Sequence, residues 1–478
     1  MNTSQQNNIL FGTDGWRGLL GSDLNNPNVA RVAQAFADYV LQLKHPDPIV
    51  AVGFDGRKGS GGFALLFARV LSSNQIKVYL SRQVIPTPVL SFYTTHHNCV
   101  AGAMVTASHN PPEYNGIKFK SARGAPLSTP ETRKIERLID PSKPAREDNA
   151  FVVYTDFLKD YKQHINRHID FKAIANSGIK PAIDSMAGAG TTILNDILSE
   201  HHVESDGIDR QPLSDFNGRI AEPIEKNLKP LADFLQNGNF SFGLATDGDA
   251  DRLGVLDENG GWMNIQETIL YLAEYVKTQR NVQGGLVKTL SVTDKMMQLA
   301  RSTDCQLQDV QVGFKYVAEA MIDSKAAFGA EESGGFGFGT HIPERDGIYS
   351  ALLFCEMIAK SGFSRLSAFI KNKRSHWGDC FYGRIDRKYT GSNRISLLEQ
   401  LYKNPPQSIA SYPVEEILQH YTSREVINSL KFRLKGSPRW LLIRISETEP
   451  LVRIYAEGRS TREVQNLLQE GQKIVHIK

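Results

Sequence analysis

Acidic residues are missing from one long stretch of this chain: no Asp or Glu occurs between Arg57 and Pro112. That gap argues against a nicotinamide site. Gly59-Ser60-Gly61-Gly62-Phe63-Ala64 fits the GxGxxA spacing after an apolar run, but dinucleotide binding also needs a carboxylate about 20 residues on to hold the ribose. Cysteine is scarce and scattered, at 99, 305, 355 and 380, with no CxxC pair. That spacing argues against a zinc cluster, and the cysteines read as reduced thiols of a cytoplasmic protein. The longest apolar stretch, Gly347 to Ala359, is broken by Glu356 and too short to cross a bilayer. The N-terminal MNTSQQNNIL is polar and uncharged, unlike a secretory signal. With 55 Lys and Arg against 52 Asp and Glu, the net charge is +3 and the cations are dispersed. No basic stripe invites a nucleic acid or a membrane.

The 478 residues suffice for three or four domains. One pattern recurs: a short apolar run ending in Asp or Gly, then a helical stretch. Pro48 to Phe54 leads to Asp55 and a helix over about 62–71. Cys99 to Val105 leads to TASHN. Ala182-Ile183-Asp184 leads to Gly188 and Gly190, with a helix from Thr191. Phe240 to Thr246 leads to DGDADR. Alternating short strands and amphipathic helices imply α/β units on mainly parallel sheets, which bind ligands beyond the carboxyl ends of their strands. Asn259-Gly260 predicts a hairpin pairing Leu253–Leu256 with Gly261–Asn264. Lys143 to Asn149 reads as a linker. Strands at Trp440–Ile445 and Leu451–Ala456, with a helix from near Ser460, predict a smaller C-terminal α+β domain.

Four stretches carry chemistry. In TASHNPPEYNGIK, Ser108 follows a strand of small residues, so its hydroxyl is expected at a cleft. The surrounding sequence is not the GxSxG elbow. Ser108 and His109 are adjacent, and neighbouring side chains usually diverge, so a serine–histidine pair is not expected. In TDGDADRLG, Asp247, Asp249 and Asp251 alternate, which puts three carboxylates on one face of an extended loop. They repel one another unless a hard cation such as Mg²⁺ or Ca²⁺ sits among them. An EF-hand is excluded, because Arg252 stands where its sixth-position glycine is required. A solvated acidic turn is the bland alternative. In GAEESGGFGFGTHIPERDG, glycines crowd Glu331, Glu332 and Ser333, a carboxylate and hydroxyl set suited to sugar hydroxyls, with a flexible surface loop as the alternative. In RISETEPLVR, Arg444, Ser446 and Thr448 alternate, which with Arg453 suits a phosphate but is also what any half-exposed strand shows. His164 and His168 are four apart as in some zinc helices, but their polar flanks predict a solvated helix face.

Together these stretches resemble the α-D-phosphohexomutase superfamily, the phosphoglucomutases and phosphomannomutases. FGTDGWRG, TASHNP, DGDADR, VGFK, EESGG and SETEP occur in the family's order over nearly the whole chain. The resemblance implies an α/β protein of four domains around a central cleft. Three are related α/β domains with mainly parallel mixed sheets, at about 1–150, 151–275 and 276–385. The fourth, about 386–478, is a smaller α+β domain.

It also implies that Ser108 carries a phosphate and that this group, with Asp247, Asp249 and Asp251, holds one Mg²⁺. Arg17, Lys118 and Arg252 would offset the charge of two phosphates. Glu331 and Ser333 would grip the sugar, and Arg444, Ser446, Thr448 and Arg453 the phosphate that is not reacting. Lys315 of VGFK or His109 would serve as general base, with Lys315 favoured. The implied reaction interconverts glucose 1-phosphate and glucose 6-phosphate through glucose 1,6-bisphosphate. A bisphosphate synthase with the same residues is the alternative, and a sugar-phosphate-binding regulator a third. The expected partners are sugar phosphates alone, and the expected state is a monomer or homodimer. VGFK, and Gly335 where many phosphomannomutases carry His, favour the glucose branch. Glu447 departs from the Gly or Asn usual in the phosphate loop.

Overall fold

The strands that lie between helix layers are built from small and β-branched residues. Ala101–Val105 is buried at every position, and Ile49–Phe54 at its central four. Such runs suit parallel strands covered on both faces. The computed structural model describes residues 9–12, 14–143, 145–389, 394–421, 426–445 and 451–475.

Strands β1 (Trp16–Leu19), β2 (Ile49–Phe54), β3 (Lys77–Ser81), β4 (Ala101–Val105), β5 (Tyr114–Ser121) and β6 (Val152–Thr155) form one sheet in the order β1-β5-β4-β2-β3-β6. Its β4-β2-β3-β6 part is parallel, and β5 runs antiparallel to both β4 and β1. Strands β7 (Pro181–Asp184), β8 (Asp206–Ile208), β9 (Phe242–Thr246) and β10 (Leu253–Asp257) form a second sheet, parallel except for β10. In a third, β11 (Leu286–Thr289) pairs in parallel with β12 (Leu307–Val310) and with β13 (Phe328–Glu331).

The fourth sheet is antiparallel, in the order β15-β20-β19-β18-β17-β16. Its strands are β15 (Phe381–Lys388), β16 (Ser408–Ile409), β17 (Tyr412–Tyr421), β18 (Ile427–Leu434), β19 (Trp440–Ile445) and β20 (Leu451–Gly458). A short strand β14 (Gly335–Phe338) lies between β13 and this sheet in the chain. The helix expected near Ser460 spans Thr461–Ile474, and the Ser460 side chain caps it by accepting from the Glu463 amide. The expected class, three α/β domains with mixed, mainly parallel sheets and a C-terminal α+β domain, is the one observed.

The chain forms two compact units. One comprises Met1–Met263 with Ser333–Ile370, the other Asn264–Glu332 with Lys371–Lys478. In the first unit, Glu356, which interrupts the apolar run of helix Gly347–Ser361, is buried and accepts a hydrogen bond from the Asp170 amide at 2.7 Å. Lys143 and residues 145–149 of the expected linker bond to the first sheet's layers. Lys143 pairs with Asp38 at 2.6 Å, and the Ser73 hydroxyl donates to the Arg146 carbonyl at 2.7 Å. The Asn259-Gly260 turn closes as expected, with Gly260 at φ +81° and Met263 N donating to the Val255 carbonyl. The helix expected from Thr191 begins two residues later, at Ile193.

In the second unit, Leu290, Val312, Trp440, Leu442 and Tyr455 form an apolar cluster shared by the third and fourth sheets. Beside it runs a buried ion network. Asp294 accepts from Lys288 at 3.0 Å, Lys431 at 2.7 Å and Arg433 at 2.8 Å. Three cations around one carboxylate, with Asp309 on Lys288 at 2.8 Å, keep these buried charges compensated.

Candidate active site

The serine loop leaves the carboxyl end of β4, where the backbone turns sharply. Ser108 takes φ +55°, and its amide donates to Thr106 Oγ1 at 2.9 Å. That left-handed turn overturns the expectation for Ser108 and His109. Their side chains converge, with Oγ 3.3 Å from His109 Nδ1. Ser108 Oγ also donates to Asp247 Oδ2 at 3.1 Å.

Arg57, buried at 3% exposure, holds the loop in place. Its Nη1 donates to the carbonyls of Pro111 (2.8 Å) and Tyr114 (2.9 Å), and its Nη2 to those of Ser108 (2.6 Å) and Asn110 (2.5 Å). Asp55 flanks its Nε at 3.3 Å, and the guanidinium carbon lies 4.6 Å from the centre of the Phe216 ring. The stretch that resembled a dinucleotide loop thus follows directly on the anchor of the serine loop.

The acidic loop leaves the carboxyl end of β9. Gly248 allows it to approach the serine loop, since a Cβ there would lie 2.4 Å from the Ser108 carbonyl oxygen. Asp247, Asp249 and Asp251 are fully buried, each with a carboxylate oxygen within 4.8 Å of the others'. Asp247 Oδ1 accepts the amides of Asp251 (2.9 Å) and Arg252 (3.1 Å). Asp249 Oδ2 accepts from Thr87 Oγ1 (2.5 Å) and Lys118 Nζ (2.7 Å). Asp251 Oδ2 accepts from Lys118 Nζ (3.0 Å) and Arg345 Nη2 (2.7 Å). Asp249 Oδ1 and Asp251 Oδ1 are buried and find no hydrogen-bond partner among the described residues.

Cations ring this cluster. Lys118, on β5, is buried between Asp249 and Asp251, with Asp14 at 3.6 Å. Arg252 donates to Glu222 Oε1 at 3.1 Å, and the same oxygen lies 4.0 Å from His109 Nε2. Arg17 donates to Asn110 Oδ1 at 2.7 Å, at the end of the serine loop. Arg345 bonds Asp251 and lies 3.5 Å from Asp14, while its neighbour Glu344 pairs with buried Lys120.

The charges settle unequally. Burial, then Asp251 and Asp249, push the Asp247 carboxyl well above its usual range. Burial would raise Asp249 too, but Lys118 outweighs it and holds that carboxyl far below. Asp251 is held low against burial mainly by Arg345. Burial, with Arg252 and Arg17, pushes the His109 imidazole well below its usual value.

Ser333 also belongs to this first unit. The next residue, Gly334, has φ +89°, and its carbonyl accepts from the Leu253 amide at 2.9 Å. Lys315, Glu331, Arg444 and Arg453 belong to the second unit. Lys315, near the start of helix Phe314–Ser324, is buried with its ammonium 4.9 Å from the Tyr316 ring centre. Glu331 ends β13 and is buried, and the next residue, Glu332, accepts from Ser291 Oγ at 2.5 Å.

Arg444 on β19 stands opposite Arg453 on β20, which stands opposite Asp386 on β15. Asp386 accepts from Arg453 at 3.2 Å and from both arms of Arg384 at 2.7 Å. Arg444 Nε is buried without a hydrogen-bond partner among the described residues. Ser446, Thr448 and Glu447 lie outside the described residues. His164 and His168 are not a solvated face. They are half-buried and stacked at 4.0 Å, and His164 Nε2 lies 2.9 Å from His341 Nδ1.

Sequence reasoning missed Arg57, Glu222, Arg345, Asp14 and Asp386. Arg345 stood in the ERD end of the sugar-loop stretch, and Arg57 just before the glycines of the rejected dinucleotide reading, so both were marked by position but not by role.

A buried triad of carboxylates facing a serine hydroxyl and ringed by Lys and Arg defines a class, that of enzymes handling phosphoryl groups. Residues 8–146, 159–261 and 265–375 match alpha/beta/alpha domains I, II and III of phosphoglucomutase/phosphomannomutase, and 401–471 match its C-terminal domain. The chain belongs to the phosphoglucomutase/phosphomannomutase family of phosphohexomutases. It is 27% identical over 470 residues to a phosphoglucomutase/phosphomannomutase of Thermococcus kodakarensis, covering 98% of each chain. It is 30% identical to a phosphoglucosamine mutase of Caldicellulosiruptor bescii, covering 95% of this chain and 96% of that one. The crystal structure of a Thermus thermophilus protein described as a phosphomannomutase is similar with a TM-score of 0.82 and 31% identity, over 98% of this chain and 99% of that one. No helix among the described residues is long and apolar enough to cross a membrane.

Proposed function

We propose that the protein is a Mg²⁺-dependent, cytoplasmic phosphoglucomutase that interconverts glucose 1-phosphate and glucose 6-phosphate through phospho-Ser108 and glucose 1,6-bisphosphate. The observation that carries this reading is Ser108 Oγ at 3.1 Å from the buried acid cluster, whose Asp249 Oδ1 and Asp251 Oδ1 have no hydrogen-bond partner among the described residues. Two buried carboxylate oxygens that accept no hydrogen bond from the described residues, in an oxygen-only set, fit a hard divalent cation. Asp247, Asp249 and Asp251 would hold it with an oxygen on Ser108. When bound, Mg²⁺ neutralises charge on the transferring phosphoryl group.

The chain's own residues do the rest. A phosphoserine adds nearly two negative charges to this loop, and a sugar phosphate brings as many again. Lys118, Arg252 and Arg17 offset them. In the first step the Oγ–P bond of phospho-Ser108 breaks as the free hydroxyl of the hexose phosphate bonds to phosphorus. The hydroxyl's proton passes to a base, for which Lys315 is the candidate. Ser108 Oγ is left as the leaving oxygen, with His109 Nδ1 beside it to supply or take its proton. The bisphosphate turns around and returns its other phosphoryl group to Ser108 Oγ. Glu331 and Ser333 hold ring hydroxyls in both orientations. Arg444, Arg453, Ser446 and Thr448 hold the idle phosphate, a role suited by Arg444 Nε, which is buried without a hydrogen-bond partner among the described residues.

VGFK and Gly335 support glucose over mannose and amino sugars. The test is intact mass for one phosphate on Ser108, then turnover of glucose 1-phosphate, mannose 1-phosphate and glucosamine 6-phosphate by wild type and Ser108→Ala. Glucose phosphate should turn over fastest, and Ser108→Ala should be inactive. Full activity in Ser108→Ala overturns the mechanism. Net bisphosphate release fed by fructose 1,6-bisphosphate would make the enzyme a bisphosphate synthase instead.

A further inference from the structure

Helix Thr87–His96 ends in two adjacent histidines on the face of the first unit, away from the acid cluster. Its first residue, Thr87, bonds Asp249, so about 15 Å of helix separates the two ends. His96, the last helical residue, is stacked on Phe92 at 5.1 Å with 17° between the rings. His97, the C-cap, is stacked on Tyr93 at 3.9 Å and stands edge-on to Tyr79 at 6.3 Å. Both imidazoles thus pack against aromatic neighbours. Across from them Asp160, in the first turn of helix Leu158–His168, places Oδ2 2.8 Å from His97 Nε2. One ligand atom from each of the three lies within 4.8 Å of the others.

We propose that His96, His97 and Asp160 form a second cation site, for a borderline transition metal of the Zn²⁺ class and not for Mg²⁺. Two imidazole nitrogens and one carboxylate oxygen are a three-ligand set typical of open zinc sites, with water completing the shell. Mg²⁺ prefers oxygen and keeps its waters, so it has little reason to enter. The ion takes the place of the hydrogen now shared by His97 and Asp160. The end of the first helix is the negative pole of its dipole, which further favours a cation. Since Asp160 lies on the helix after the first sheet's last strand, 63 positions beyond His97, the ion clasps together two segments distant in the chain. The site is partly solvent-exposed, with His97 at 33% and Asp160 at 27% side-chain exposure, so an ion can enter without unfolding.

The test uses full-length protein stripped with chelator and returned to excess Mg²⁺, so that the acid cluster is saturated. Titration calorimetry with Zn²⁺ should show one equivalent with at least tenfold tighter binding in wild type than in His97→Ala or Asp160→Asn. His96→Gln, at an exposed position, guards against loss of fold and should weaken binding comparably. Zn²⁺ should also raise the thermal unfolding midpoint of wild type but not of the variants. Equal stoichiometry and affinity in wild type and all three variants, or displacement of Zn²⁺ by millimolar Mg²⁺, would overturn the proposal.

Discussion

Arg57→Lys should loosen the serine loop without removing the buried charge that Asp55 needs. Arg57 serves four carbonyls of that loop through a planar fork, at 2.5–2.9 Å. A lysine ammonium offers three donors around one atom and can serve about two of the four. Leaving a buried acceptor without its donor costs about 1–3 kcal/mol, so two such losses cost about 2–6 kcal/mol. Carbonyls that can turn towards water recover part of this, so the lower half, about 2–4 kcal/mol, is expected. At about 1.4 kcal/mol per decade, loop opening becomes roughly 30- to 1,000-fold more frequent.

Native-state hydrogen exchange of peptides covering 106–116 reads this directly, without reference to any activity. The amides of Thr106, Ser108, Asn110 and Tyr114 are the reporters, since each is hydrogen-bonded in the intact loop. Turnover should fall by a similar factor, because Ser108 would spend less time at φ +55° beside Asp247. Arg57→Ala should be partly rescued by added guanidinium. If exchange in Arg57→Lys stays within threefold of wild type while the protein is folded, the loop is held by something else and the reasoning fails.

Four further outcomes follow from the same geometry. Asp249→Asn should lose Mg²⁺-dependent activity by at least a hundredfold and weaken Mg²⁺ binding in calorimetry, because it removes a buried charge from the cation's expected seat. Arg444→Ala should raise KM for the sugar phosphate by about tenfold or more with a smaller effect on kcat, measured in steady-state assays, since the idle phosphate is held in both half-reactions. Chelation by EDTA should abolish turnover, and added Mg²⁺ should restore it. Stability should fall as pH drops from about 6.5 towards 3. Burial, with His341 and His168 nearby, lowers His164 to about 3, so through that window the unfolded chain binds a proton that the folded chain refuses. Urea midpoints at pH 7.5 and 5 should differ less in His164→Gln than in wild type.

What could be read from the chain alone was whatever near neighbours encode. The alternation of strand and helix, the three carboxylates at every second position and the hairpin at Asn259-Gly260 are patterns of spacing two to four residues wide. Each depends on backbone geometry that distant parts of the molecule do not alter. The bonds that tie Lys143 and Arg146 to Asp38 and Ser73 are of another kind, since they depend on side chains far along the chain.

The site's electrostatics were of that second kind. Arg57 reaches Ser108 across 51 positions and Arg345 reaches Asp251 across 94, and nothing local marks either as a partner. The convergence of Ser108 with His109 depends on one left-handed backbone angle. The contrast between a raised Asp247 and a lowered Asp249 depends on where Lys118 lies. Three aspartates in a row announced a cation; burial and the placing of neighbouring charges, which exist only once the chain has folded, decided which oxygens remain open to it.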